Sequence, residues 1–235
     1  MFVKNGTDKL KKVLVSRPQF LKPAPINEIA KIWKDTTMDV ETMLREHDEF
    51  VEAYKKAGVE VEFLEPDSER PNSVFARDFG GCVKEGYILG RFKLDMRYKE
   101  HIDYKKRMEE LEIPMIGEVK KGLFEGGDFM FMNENWVAVG MADRTDEAGL
   151  TESILEPLGY EVTGVPLKRE YLHLDMCLNL VDEHLAVSYK KGLPDDFRKM
   201  LTKHDIEVIE VDEDAIFQHG CNLQSLGEHR VMSLK

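Results

Sequence analysis

Cysteine is scarce in this chain: three residues in 235, at positions 82, 177 and 221, far apart and never in C-x-x-C spacing. An odd number without that spacing excludes a disulfide framework and a zinc site as organising features. Long apolar runs are absent too. No stretch of 18 apolar residues occurs, and the opening MFVKNGTDKLKK has no apolar h-region, so neither a membrane span nor a secretory leader is expected. The expected setting is cytoplasmic. Positive charge is in short supply, 33 Lys and Arg against 45 Asp and Glu, for a net charge of -12. That balance disfavours nucleic acid and attracts a cationic small molecule, although solubility alone accounts for it equally well. Low-complexity segments and linkers are lacking: QFLKPAPINE and EPDSERPNS read as surface loops. With 42% hydrophobic residues, one domain over residues 1–235 with a substantial core is expected. A single chain and a homo-oligomer are both compatible with this composition.

What the chain has instead is a repeat. Four segments read as β-hairpins: SVFARDFGGCV before GYILGRF, GLFEGGDFMFM before WVAVGM, LHLDMCLNLV before LAVSY, and HGCNLQSLG before RVMS. With Asp78, Asp128, Asp175 and Asn222 as equivalent points, the steps are 50, 47 and 47 residues, a period of repeated supersecondary units. A helical stretch follows each of the first three hairpins, and short β-rich runs such as YEVTGV and IEVIEV come next. DVETMLREHDEFVEAYKKAG shows the helical grammar, with Val40, Met43, Leu44, His47, Val51 and Tyr54 on one face and Gly58 at its end. TDEAGLTESILEPLG ends at Gly159, and PDDFRKMLTKHD opens with Pro194 and two acids. The unit is strand, strand, helix, strand. VLVSRP, the first helix and VEVEFLE supply what the C-terminal hairpin lacks, so a fifth unit closes if the two ends join. Five such units form a ring with the hairpins at its centre.

Superposed repeats bring Asp78, the acids of EGGD, the HLD triplet and GCN to one central region. Strand alternation in LHLDMCLNL sends Leu172, Leu174, Met176 and Leu178 to one face and His173, Asp175, Cys177 and Asn179 to the other. In LFEGGDFMF two glycines interrupt an apolar strand, which costs stability unless the backbone bends or something approaches it closely. Taken alone, EGGD is equally a charged turn.

FARD, EGGD, HLD and GCN, in this order and spacing, resemble the guanidino-group modifying enzymes of the pentein fold, which include arginine deiminases, dimethylarginine dimethylaminohydrolases and amidinotransferases. The resemblance runs from VLVSRP to RVMS. It implies a five-bladed α/β propeller, Cys221 as nucleophile, His173 as general acid and base, and Glu125 as the partner of His173. It also implies that Asp78 and Asp175 hold a guanidinium, with Phe75 beside it. Arg97 in RYKE and Arg144 in DRTDE match arginines that contact a substrate α-carboxylate, and Asn72 and Asn27 lie in loops near the substrate. No cofactor or metal is implied.

These residue types suit that chemistry. A guanidinium is planar, permanently charged and a poor electrophile, and two carboxylates match its N–H edges. A thiolate held near its carbon, with an imidazolium or the cation itself lowering the thiol pKa, supplies the attack. The expected product of arginine is citrulline with ammonia, by way of an S-alkylthiouronium. A dimethylarginine-type hydrolase and amidino transfer to an amine are the alternative reactions, and a non-catalytic binding body of the same fold is the alternative class. Beside these stand plainer readings. Cys82 and Cys177 read as small buried hydrophobes. His219 shares a strand face with Cys221, and Arg97 opens a charged helix whose solvated face explains it equally well.

Overall fold

The computed structural model describes residues 3–22, 31, 35–150 and 152–233, with the backbone alone at 148, 152 and 217. They group into two compact units: residues 11–76 with 94–107, and residues 1–10, 77–93 and 108–235.

In the smaller unit β1 (Lys12–Ser16) and β2 (Glu60–Leu64) pair in parallel, Lys12 opposite Glu60 and Ser16 opposite Leu64. Between them in sequence runs α1 (Val40–Lys56). Its N-cap Asp39 accepts a hydrogen bond from the Thr42 backbone N–H, a cap worth ~1 kcal/mol. Gly58 follows the helix at φ +83°, a conformation only glycine adopts without strain. Val51 and Tyr54 are buried, whereas Val40 is exposed, so the apolar face is shorter than its periodicity predicts. The reason is length: 17 residues span ~25 Å of helix, and a five-residue strand only ~17 Å.

The larger unit carries the strands of three repeats. β3 (Gly80–Val83) and β4 (Gly86–Leu89) form an antiparallel hairpin. After α2 (Glu100–Glu110), β5 (Met115–Glu118) returns parallel to β4. The second repeat has β6 (Phe129–Asn133), β7 (Trp136–Met141), the short α3 (Glu152–Leu155) and β8 (Glu161–Pro166). The third has β9 (Leu178–Asp182), β10 (Leu185–Tyr189), α4 (Asp195–Lys203) and β11 (Glu207–Val211). Sheet orders are β3-β4-β5, β6-β7-β8 and β11-β10-β9, so strand, strand, helix, strand occurs three times as read. α5 (Glu213–Phe217) then leads to the hairpin β12 (Gln224–Gly227) and β13 (Arg230–Met232). β1–β2 and β12–β13 are separate two-stranded sheets. The architecture is α/β, and strand pairing does not establish the five-bladed closure.

β7 explains how this core is built. Trp136 and Ala138 enter one apolar cluster with Tyr171, Leu174 and Leu178, while Val137 and Val139 enter another with Phe124 and Phe131. A central strand covered on both faces reads as a continuous apolar run, which WVAVGM is. Each such side chain contributes about 1.5–3 kcal/mol on burial.

Two readings of the sequence are corrected here. The motif segments are not strand: Ala76–Phe79, Gly126–Asp128 and Leu174–Met176 are short 3-10 turns placed just before β3, β6 and β9. Alternation therefore fails in LHLDMCLNL, where His173, Asp175, Cys177 and Asn179 are buried together with Leu174, Met176 and Leu178. Cys82 is exposed rather than packed, because β3 turns it to the face opposite Gly81 and Val83.

Candidate active site

The two glycines of EGGD are explained by close approach. A Cβ on Gly127 would meet His173 Cγ at 2.7 Å and Asp78 Oδ1 at 3.1 Å, and one on Gly126 would meet the Arg77 carbonyl oxygen at 2.1 Å. Bare backbone lets the turns of FARD, EGGD and HLD converge, and four acids arrive with them.

His173 is buried at the centre of this group. Its Nδ1 lies 3.1 Å from Asp128 Oδ2, and its Nε2 lies 3.6 Å from Glu125 Oε2 and 3.7 Å from Asp78 Oδ1. Asp128 also accepts from the Leu174 backbone N–H at 2.9 Å and from Thr145 Oγ1 at 2.7 Å, which locks both of its oxygens. The same Thr145 hydroxyl accepts from the Glu125 backbone N–H at 3.1 Å. The hydrogen-bonded partner of His173 is thus Asp128; Glu125, expected in that role, sits across the ring. Glu125 accepts from the Lys93 backbone N–H at 3.0 Å and faces Arg144 Nη1 at 3.6 Å. Asp175 takes Arg77 Nε on Oδ2 at 2.9 Å.

The electrostatics follow from burial and crowding. Burial alone pushes the His173 pKa down, but Asp78, Asp128 and Asp175 outweigh it and raise the value to about 10. His173 is therefore an imidazolium at neutral pH. Burial, then the neighbouring Asp78, hold Glu125 above its ordinary range against the pull of His173 and Arg144. Asp175 is likewise raised, by burial first, against Arg77 and His173. One ligand atom from each of Asp78, Glu125 and His173 lies within 4.8 Å of the others.

A pH dependence of stability results. Because the folded value for His173 lies above its ordinary 6.5, its proton stabilises the fold fully below about 6.5, less as the pH rises, and not at all above about 10. Urea unfolding of the native chain and of His173→Gln should show a stability difference that shrinks from pH 6 to pH 10. A difference that stays flat contradicts the assignment of that proton.

Cys221 is placed otherwise than expected. It is fully buried in the apolar cluster that also contains Cys177, Ile216 and Leu178, and no hydrogen bond joins it to His173. Burial pushes its thiol up to about 11, opposed by the Tyr189 backbone N–H, and pushes Cys177 up to about 12. A neutral thiol packs as a small apolar group at little cost, and only its ionised form requires polar company. Cys177 is packed as read.

The remaining residues divide between the units. Arg144, in the larger one, is buried against Glu125 and, at 3.5 Å, Asp143 Oδ2. Asn72, Phe75 and Arg97 belong to the smaller one. Arg97 is buried instead of solvated: it bonds Glu100 Oε2 through Nε at 3.0 Å and donates from Nη2 to the carbonyls of Asn72 and Phe75 at 3.4 and 3.3 Å. Its guanidinium also lies 5.9 Å from the half-exposed Phe75 ring. Asn72 is buried, with Nδ2 4.0 Å from Met96 Sδ. Asn27 lies outside the described residues. Asp128 and Thr145 were missed as site residues. The repeat alignment marked Asp128 as a central position, but nothing in DRT marks the hydroxyl.

Comparison with known proteins points the same way. A family model described as N,N dimethylarginine dimethylhydrolase, eukaryotic, matches residues 17–235. The uncharacterized protein YkgA of Bacillus subtilis is 32% identical over 228 residues, 96% of this chain and 78% of its own length. Among solved structures, apo ArgZ, an arginine dihydrolase from the ornithine-ammonia cycle in cyanobacteria, superposes with a TM-score of 0.81 at 21% identity. The match covers 90% of this chain and 33% of ArgZ. A dimethylarginine dimethylaminohydrolase mutant from Pseudomonas aeruginosa, complexed with citrulline, gives 0.74 at 22% identity over 95% of this chain and 83% of that one. At such identities the structural likeness establishes the fold, and it agrees with the three repeats.

Proposed function

Because the chain belongs to the N,N dimethylarginine dimethylhydrolase family, we propose that it hydrolyses a guanidino C–N bond of an arginine-type substrate, with Cys221 as nucleophile. The observation that carries this reading is the buried imidazolium of His173 with Asp78, Glu125 and Asp128 all within 3.7 Å, an arrangement that attracts a cation and can hand on a proton. The ion pair of Asp175 with the Arg77 guanidinium, 2.9 Å from Nε to Oδ2, supports a cation-holding role for that acid. Substrate binding brings a positive charge to the thiol, which turns out of its apolar cluster and ionises, losing its proton to solvent.

The thiolate attacks the guanidino carbon, and the C–N bond to the departing amine breaks as His173 gives that nitrogen its proton. An S-alkylthiouronium remains on Cys221. His173, now neutral, takes a proton from water as the hydroxide adds to the same carbon; the C–S bond then breaks to restore the thiolate, and the new hydroxyl loses its proton to solvent to give the ureido product. Glu125 and Asp128 keep the imidazole oriented through the exchange. Asp78 and Asp175 grip the substrate, and Arg144 receives its α-carboxylate. Phe75, Asn72 and Arg97 are kept as substrate contacts on the strength of the resemblance alone. Closure of the chain into one five-unit pentein domain, and a cytoplasmic setting, complete the proposal.

L-arginine is the first reading, since two acids match both N–H edges of an unmethylated guanidinium. The family model favours a second, an ω-methylated arginine. The test is a panel of arginine, agmatine and methylated arginines, with ureido product and released amine both measured. Ammonia from arginine supports the first, dimethylamine from dimethylarginine the second, and no ureido product from any guanidine overturns both. Glycine or ornithine added as acceptor separates amidino transfer from hydrolysis.

A further inference from the structure

One side chain links the acid that faces the guanidinium to the thiol that attacks it. Asn179, on β9, is buried, and its Nδ2 donates to the backbone carbonyl of Asp175 at 2.9 Å and to that of Cys221 at 2.7 Å. Its amide nitrogen has two hydrogens, so it serves both carbonyls at once; a hydroxyl serves one, and a carboxylate repels both. The neighbouring β10 ties down the turn before β9, because the Tyr189 backbone N–H donates to the Cys177 carbonyl at 2.9 Å. The Cys221 carbonyl also accepts from the Leu223 backbone N–H at 3.0 Å. Around it the chain turns sharply, with His219 at φ +59° and Gly220 N–H on the Ala215 carbonyl at 2.7 Å. A backbone tied down at this many points moves little while the side chain it carries rotates.

We propose that Asn179 is a positioning residue that keeps the backbone of Cys221 in fixed spacing with that of Asp175, so that the bound guanidinium and the nucleophile stay in register when the thiol turns out of the core. This rests on the function proposed above. Asn179→Ala should lower kcat about 100-fold, the scale of a misplacement near 1 Å, with KM for the guanidine nearly unchanged because the carboxylates remain. Leu201→Ala, which truncates a buried side chain of α4, destabilises the core without touching either carbonyl and should leave kcat near the native value.

A second readout does not need turnover. In a Cys82→Ser background, alkylation of Cys221 by iodoacetamide, followed by peptide mass spectrometry, should be several-fold faster in Asn179→Ala than in the native sequence, because the loosened turn exposes the thiol. If the alanine variant does not fold, Asn179→Ser, which keeps one donor, is read in the same way. Native kcat and native alkylation rate in the variant overturn the proposal. If the native chain turns over no guanidine, the function reading fails, and the alkylation comparison alone still decides whether Asn179 holds Cys221.

Discussion

Cys221→Ser should release no measurable ureido product from any guanidine the native chain accepts, a loss on the order of 10⁵-fold or more, the scale seen when a covalent nucleophile is removed. A serine hydroxyl is close to the thiol in volume but polar, so burying it in the apolar cluster around position 221 costs about 1–3 kcal/mol, a loss the folded chain is expected to tolerate. Chemistry is what disappears. A resonance-stabilised guanidinium carbon yields to a thiolate, whereas the hydroxyl of serine does not ionise in reach of neutral pH. Substrate affinity should persist, because Asp78 and Asp175 are untouched. Retained turnover in the serine variant moves the nucleophile elsewhere in the site. The buried location of the native thiol adds a directional expectation: with its pKa pushed up to about 11, free Cys221 should alkylate slowly near pH 7 and faster as the pH rises toward that value.

His173→Gln should cost about 10²–10⁴-fold in turnover, the usual range for a positioned acid or base, because one imidazole serves both halves of the reaction. The two halves can be separated. An S-alkyl isothiourea analogue of arginine expels a thiolate, a leaving group that needs no proton, so attack on it by Cys221 escapes the loss. His173→Gln should therefore still be modified at Cys221 by the isothiourea and then stall, for lack of a base to activate water. If the isothiourea and the guanidine lose rate equally in the first half, His173 is not the proton donor. Asp128→Asn is a milder companion. It removes the carboxylate that bonds Nδ1 at 3.1 Å, so the alkaline limb of the pH–rate profile should move down from its native position. Glu125, 3.6 Å from Nε2 on the other side, keeps part of the charge stabilisation.

The hairpins were legible because their signals are local. Alternating or β-branched runs such as WVAVGM and LAVSY, the glycines that end the helices and the 47–50-residue recurrence all survive folding unchanged. The site was legible only in outline. That EGGD and HLD meet was readable from the repeat, but the 3-10 turn of Leu174–Met176 was not, since it forms where a distant carboxylate, Asp128, takes the Leu174 N–H. Nor does EGGD say which of its two acids reaches Nδ1; that depends on which oxygen Thr145 locks, a contact 17 residues away in sequence. The solvated-face reading of Arg97, one of the two the sequence allows, follows from its charged neighbours. Its burial comes from Glu100 one turn on and from two carbonyls at 72 and 75, which periodicity does not register. The direction of the Cys221 thiol was beyond sequence for the same reason: a single residue in a turn has no periodicity, and packing against Cys177 and Ile216 decides where it points.

The central claim is that sulfur 221 becomes bonded to the guanidino carbon during turnover, in a basin of acids that otherwise only binds cations. Acid-quenching the native protein within milliseconds of mixing with arginine, or with a methylated arginine if that is the better substrate, and weighing the intact chain answers it. The prediction is a transient mass increase equal to the substrate less its departing amine, mapped to Cys221 and decaying as product appears. Product formed with an unmodified Cys221 at every time point would contradict it.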